Sequence, residues 1–193
     1  VTTLRGIIFD LDGTLVDSRL DFAAMRRELG LQNGEGLLEH LASLTDPAAR
    51  QQAEAVIERH ELAGAHAATW IEGAEHALHQ LRSAQVPMAI VTRNMRSATD
   101  HMVKKLGIPI EHIITREDCQ QVKPHPEGLL AVASYWQIAP RALAYLGDFK
   151  FDLEAARHAG MHAWLWRNDS NSEFEHLADA VFHRFEEITE RLL

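Results

Sequence analysis

The sequence predicts an α/β fold with a doubly wound parallel sheet. Six short apolar runs carry that reading: "GIIF" (6–9), "MAIVT" (88–92), "HIIT" (112–115), "LAYLG" (143–147), "AWLW" (163–166) and "AVFH" (180–183). Most are nearly continuous rather than alternating, which is the pattern of strands covered on both faces. Helical patterns lie between several of them, and strands alternating with helices argue for parallel crossovers.

Taken in order, the first run ends in "DLDGT" at 10–14. The next 54 residues, Ser18 to Ile71, show no strand pattern. Within them Asp46-Pro47 is a strong helix start, and Ala and Glu dominate afterwards. The stretch carries five Arg against eight Asp or Glu, and reads as a small helical insertion. After the second run, Asn94 stands as the expected N-cap of a helix with Met95, Ala98, Met102 and Leu106 on one face, stopped by Gly107. "HPEGLLAVASYW" puts Pro126 in a first turn, with Leu129, Leu130, Ala133 and Trp136 expected on one face. "DLEAARHAG" ends on Gly160. The expected organisation is a core of 1–17 and 72–193 with the helical insertion at 18–71. No internal repeat or low-complexity linker interrupts it.

Composition narrows the function classes. Of 193 residues, 46% are hydrophobic and 24% charged, ordinary for a globular protein with a sizeable core. The formal net charge of −9 comes without a basic run, which argues against nucleic acid and against an anionic membrane surface as partners. The apolar runs are far too short to span a membrane. One cysteine, Cys119, allows no intrachain disulfide and fits a reducing compartment. The sequence begins at Val1 and shows no leader pattern. The expectation is a cytoplasmic protein, monomer or homodimer.

In open α/β sheets, ligands bind beyond the carboxyl ends of the strands. The residues there are Asp10 and Asp12 after the first run, Thr92 after the second, Lys123 in "VKPHP" after the third, and Asp148 after the fourth with Asp152 four residues on. Four converging carboxylates repel one another, and a hard divalent cation resolves the conflict. Mg²⁺ suits carboxylate oxygens and commonly completes its shell with phosphate. Lys123 and Thr92 then offer a positive charge and a hydroxyl to phosphoryl oxygens. A free carboxylate can attack phosphorus and form an aspartyl phosphate.

"DLDGT" at 10–14, Thr92 in "IVTRN", Lys123 in "KPHP" and "GDFKFD" at 147–152 resemble the four motifs of the haloacid dehalogenase superfamily in order and spacing. The resemblance covers the whole chain and is greatest to the phosphoglycolate phosphatase-like branch, whose helical cap lies between the first and second motifs. It implies that Asp10 is the nucleophile and Asp12 the general acid and base, with the main-chain carbonyl of Asp12 also facing the metal. Thr92, helped by nearby backbone amides such as that of Asn94, would bind the phosphoryl group, and Lys123 would neutralise charge on it and on Asp10. Asp148 would ligate Mg²⁺ directly and Asp152 through water, making a metal set of Asp10, Asp12, Asp148 and Asp152. Residues 13–17 would link core to cap. The implied activity is a Mg²⁺-dependent phosphatase acting on a small phosphorylated metabolite.

Blander readings compete. Asp-Gly is also a common turn, yet D-x-D-G-T arises by chance in about one chain of this length in several hundred, and three further motifs follow in order. A sugar-phosphate mutase of the same branch would use the same core residues. A 2-haloacid dehalogenase of this superfamily lacks the second carboxylate, so Asp12 argues against it. A receiver-type phospho-aspartate domain carries its acidic pair before the phosphorylated Asp and has no place for the insertion. His76 and His79 share a helical spacing, but no zinc pattern accompanies them. Trp70, Trp164 and Trp166 read as packing. Arg26, Arg27, Arg50 and Arg59 in the insertion read chiefly as surface charges.

Overall fold

A computed structural model describes residues 3–193. The chain runs β1 (Gly6–Phe9), β2 (Val16–Asp17), α1 (Phe22–Leu29), α2 (Leu37–Ser43), α3 (Pro47–Ala67), β3 (Thr69–Trp70), α4 (Ala74–Ser83), β4 (Met88–Val91), α5 (Arg96–Leu106), β5 (His112–Ile114), α6 (Glu127–Trp136), β6 (Leu143–Gly147), α7 (Lys150–Ala159), β7 (His162–Trp166), β8 (Ala180–Phe182) and α8 (Phe185–Leu192).

Six strands form one parallel sheet in the order β5-β4-β1-β6-β7-β8. The order reverses between β1 and β6, so the crevice of a doubly wound sheet opens at their carboxyl ends. Every apolar run predicted as a strand lies in this sheet. Side chains alternate across it: Ile7 and Phe9 join a core with Leu78, Met102, Trp164 and Phe185 on one face. Ile8 joins Leu129, Val132, Leu153 and Leu165 on the other. Each such side chain, fully buried, contributes roughly 1.5–3 kcal/mol, and the two covered faces explain the near-continuous apolar runs. Trp164 and Trp166 are buried in the first of these cores, as packing predicts.

The insertion folds as three helices around a small core of Leu41, Ala53 and Ile57. Asp21 caps α1 by accepting from Ala24 N at 2.8 Å. Asp46 caps α3 by accepting from Ala49 N at 3.1 Å, with Pro47 in the first turn.

Three expectations need correction. The span 18–71 does contain a strand: β3 pairs antiparallel with β2, Val16 opposite Trp70. This two-residue ribbon ties the exit from the core to the return into it, and Ile71 N donates to Leu15 O at 3.0 Å beside it. Asn94 is not the cap of α5, which begins one residue later, with Met95 at the cap position; the Asn94 amide is engaged elsewhere. On α6 the buried face is Gly128, Leu129, Val132 and Ala133, while Leu130 is 40% exposed. Gly128 sets that rotation, because a Cβ there would stand 2.9 Å from Val91 Cγ1. The helix therefore approaches the sheet at its glycine.

Candidate active site

The sheet's carboxyl edge brings Asp10, Asp12, Thr92, Asn94, Lys123, Asp148 and Asp152 around one cavity of about 310 Å³. The strand ends account for most of this. β1 delivers Asp10, β4 delivers Thr92, and β6 delivers Asp148 immediately after Gly147. Asp152 stands in the first turn of α7, where its Oδ2 accepts from Phe149 N at 3.0 Å. Gly13 turns the motif loop with φ +81°. A Cβ on it would fall 2.5 Å from Asp148 Oδ2, so the turn and the carboxylate cluster both require glycine there.

Lys123 is the hub. Its Nζ donates to Asp10 Oδ1 at 2.7 Å, to Asp152 Oδ1 at 2.6 Å and to Tyr145 Oη at 2.6 Å, which uses all three ammonium protons. Burial acts to lower the Lys123 pKa, but Asp10 and Asp152 outweigh it and hold the ammonium charged. Tyr145 Oη in turn donates to Val91 O at 2.9 Å.

Four carboxylates face this one ammonium. Burial, then the charge of Asp152, pushes Asp10 well above the usual carboxylate range, with Lys123 opposing. The same two causes push Asp148 up to about 7. Thr14 Oγ1 donates to Asp148 Oδ1 at 3.2 Å. Asn171 Nδ2 donates to the Asp148 main-chain oxygen at 2.8 Å, fixing the β6 end. Asp10, Asp148 and Asp152 each offer an oxygen within 4.8 Å of the others. An all-oxygen set with excess negative charge fits a hard divalent cation.

The Asp12 side chain is not among those three; its expected contact with the metal is through the main-chain carbonyl. Its Oδ2 accepts from Asn94 Nδ2 at 3.0 Å, and its Oδ1 has no hydrogen-bond partner. Burial raises its pKa, with Ser18 and Asn94 acting in the opposite sense. Thr92 Oγ1 accepts from Asn94 N at 3.0 Å, so its hydroxyl proton remains free for another acceptor.

Two ion pairs join the insertion to the core around the cavity. Arg93 Nη2 donates to Glu39 at 2.8 and 2.9 Å. Arg116 Nη1 donates to Glu61 at 2.6 and 2.9 Å. Among the insertion arginines, Arg26 lines the cavity, whereas Arg50 pairs with Glu54 and Arg59 with Glu28. His76 and His79 are exposed.

A model of the haloacid dehalogenase-like hydrolases matches residues 7–165. The chain belongs to that family. It is 31% identical over 176 residues to a haloacid dehalogenase-like hydrolase domain-containing protein of Arabidopsis thaliana, covering 85% of this chain and 71% of that one. It is 32% identical to a phosphoglycolate phosphatase of Pseudomonas putida, covering 83% of this chain and 68% of that one. The crystal structure of a hydrolase from Pseudomonas syringae superposes with a TM-score of 0.79 at 25% identity over 97% of each chain. This haloacid dehalogenase-like chain is thus phosphoglycolate phosphatase-like, an enzyme of the phosphatase kind.

Sequence reasoning missed Tyr145, Thr14 and Asn171. Tyr145 left a trace: a hydroxyl inside an apolar run must find a buried partner. Thr14 and Asn171 reach Asp148 across 134 and 23 residues, and no local pattern announces either contact.

Proposed function

We propose that this chain is a Mg²⁺-dependent phosphomonoesterase acting on small phosphorylated metabolites through an aspartyl phosphate on Asp10. One observation carries the reading: the two carboxylates of the first motif occupy separate environments. Asp10 faces Lys123, while Asp12 is held apart by Asn94. Two carboxylates in distinct settings divide into nucleophile and acid–base.

Asp10 attacks phosphorus, and the ester P–O bond breaks. Asp12, its pKa raised by burial, gives its proton to the departing alkoxide. Water then attacks the phosphorus of the aspartyl phosphate, and the ionised Asp12 takes its proton, so phosphate leaves and Asp10 is restored. Thr92 and the backbone around Asn94 bind phosphoryl oxygens. Lys123 holds Asp10 in place and balances charge on the transferring group.

Mg²⁺ would be held by Asp10, Asp148 and Asp152, one of them through water, and by the main-chain carbonyl of Asp12. When bound it supplies charge neutralisation for the carboxylates and the phosphoryl oxygens. The helices of 18–71 serve as a cap over a core of 1–17 and 72–193, excluding water when closed. Their ion pairs through Glu39 and Glu61 support that closure. Among the described residues no helix is long and apolar enough to cross a membrane. The single free cysteine and this chemistry fit a cytoplasmic setting.

The test is phosphate release from a panel of phosphorylated metabolites, with and without chelator. Turnover that stops in chelator and in Asp10→Asn supports the reading. Full turnover in either condition contradicts it.

A further inference from the structure

Beyond the carboxylates, the lining of the cavity is built largely from carbon. The insertion contributes Leu20, Phe22, Leu37 and Leu38, and the core contributes Phe149 and Phe151. The two core rings come from "FKF", the residues between Asp148 and Asp152. They meet edge to face at 5.1 Å, and Phe174 buttresses Phe149 from behind at 5.2 Å. Phe22 is nonetheless 47% exposed and Phe149 42% exposed. Large apolar side chains left open to water around a cavity mark a ligand wall.

The cations at this wall are largely committed. Both contacts of Arg93 Nη2 go to Glu39, its Nη1 donates to Lys123 O at 2.7 Å, and its guanidinium lies 4.7 Å over the Phe151 ring. Arg116 is held by Glu61, whose carboxylate itself lines the cavity. Lys123 has no proton to spare. Arg26 alone lines the cavity without a carboxylate partner among the described residues, and its Nε donates to Glu35 O at 2.9 Å. Apart from Arg26, and from Lys150, whose Nζ lies 5.3 Å over the Phe151 ring, the lining away from the carboxylate cluster is mostly carbon, and phosphoglycolate has no apolar body to set against it.

Resting on the phosphatase reading, the geometry points to a narrower substrate class: phosphomonoesters of uncharged alcohols with a bulky apolar body, in preference to phosphoglycolate. The phosphoryl group sits at Asp10 and Lys123. The carbon skeleton lies between the Phe149–Phe151 pair and the leucines of α2. Phe22 closes over it from the start of α1. Specificity is then set by apolar area.

The experiment measures kcat/KM for ethyl, butyl and benzyl phosphate, sorbitol 6-phosphate and phosphoglycolate under one set of conditions. These leaving groups are all alcohols, so differences report chiefly the wall. Each methylene buried is expected to raise kcat/KM about fourfold, so butyl, two methylenes longer, should exceed ethyl by about 16-fold and benzyl should be the best of the five. Phe22→Ala and Phe149→Ala, both at exposed positions, should lower benzyl phosphate turnover more than ethyl phosphate turnover. A flat alkyl series, or phosphoglycolate or sorbitol 6-phosphate ahead of benzyl phosphate, would overturn the inference while leaving the phosphatase reading standing. Phosphate release from none of a wider panel of esters would sink the phosphatase reading itself, and this inference with it.

Discussion

Asn94 Nδ2 stands 3.0 Å from Asp12 Oδ2, bridging the end of β4 to the motif loop after β1. The same residue turns its Oδ1 to accept from Met95 N at 2.7 Å. Its amide is thereby fixed in one orientation, with oxygen toward the helix and nitrogen toward Asp12. Asn94 is a positioning residue for the proposed acid and base.

Asn94→Ala removes the side-chain amide that donates to Asp12 Oδ2 at 3.0 Å. Because the bond favours the ionised form, its loss should move the Asp12 pKa further up. The limb of the kcat profile that requires ionised Asp12 should shift to higher pH, with kcat down by about tenfold to a hundredfold. A lowered kcat with an unmoved profile would show that Asn94 acts only through folding.

Much of this was legible in the sequence, for physical reasons that differ by element. Strands buried on both faces write themselves as continuous apolar runs, so all six strands of the main sheet could be read directly. Val16–Asp17 and Thr69–Trp70 could not, because two residues carry no periodicity; they pair only once the insertion brings them together. Asn94 reads as a helix cap because Asn before a helix usually is one. Here Asp12, 82 residues away, claims the amide instead. The charged residues of the site were visible because chemistry restricts them to a few residue types at strand ends. Phe149 and Phe151 were not, since an apolar ring beside a carboxylate signals nothing until the cavity wall is seen.

Mg²⁺ should stabilise the fold by binding the native carboxylate cluster. At a concentration near 100 times its Kd the gain is about 2.7 kcal/mol, or roughly 5–10 °C in Tm for a chain of this size. Asp148→Asn should abolish most of that shift, and chelator should reverse it in the native protein. Asp152→Asn is the less clean test, since Asp152 also binds Lys123 and Phe149 N. A Tm indifferent to Mg²⁺ would contradict the assignment of the cluster.

Glu61 gives a pH signature in stability. Burial outweighs Arg116 and raises its pKa from 4.5 to about 7. The folded chain thus binds a proton on Glu61 that the unfolded chain has released. Its contribution is fully present below pH 4.5 and is lost as pH rises through about 7. Glu61→Gln should lessen the fall in stability over that window, by roughly 1–3 kcal/mol. Denaturant melts of both proteins at pH 5 and pH 8 check it. Equal slopes would mean that Glu61 is ionised throughout in its pair with Arg116.

The central claim is that Asp10 carries the phosphoryl group while Asp12 moves the protons. Asp12→Asn keeps the shape and abolishes proton transfer. Alkyl phosphates should then lose both steps, by about 10²–10⁴-fold for each proton transfer removed. With p-nitrophenyl phosphate, whose leaving group departs without a proton, the first step should survive and the second should stall. Rapid mixing of Asp12→Asn with p-nitrophenyl phosphate should therefore show a burst of nitrophenol near one equivalent, followed by slow turnover. Asp10→Asn should show none. Equal slowing on alkyl and aryl substrates with no burst in Asp12→Asn would contradict the division of labour between the two aspartates.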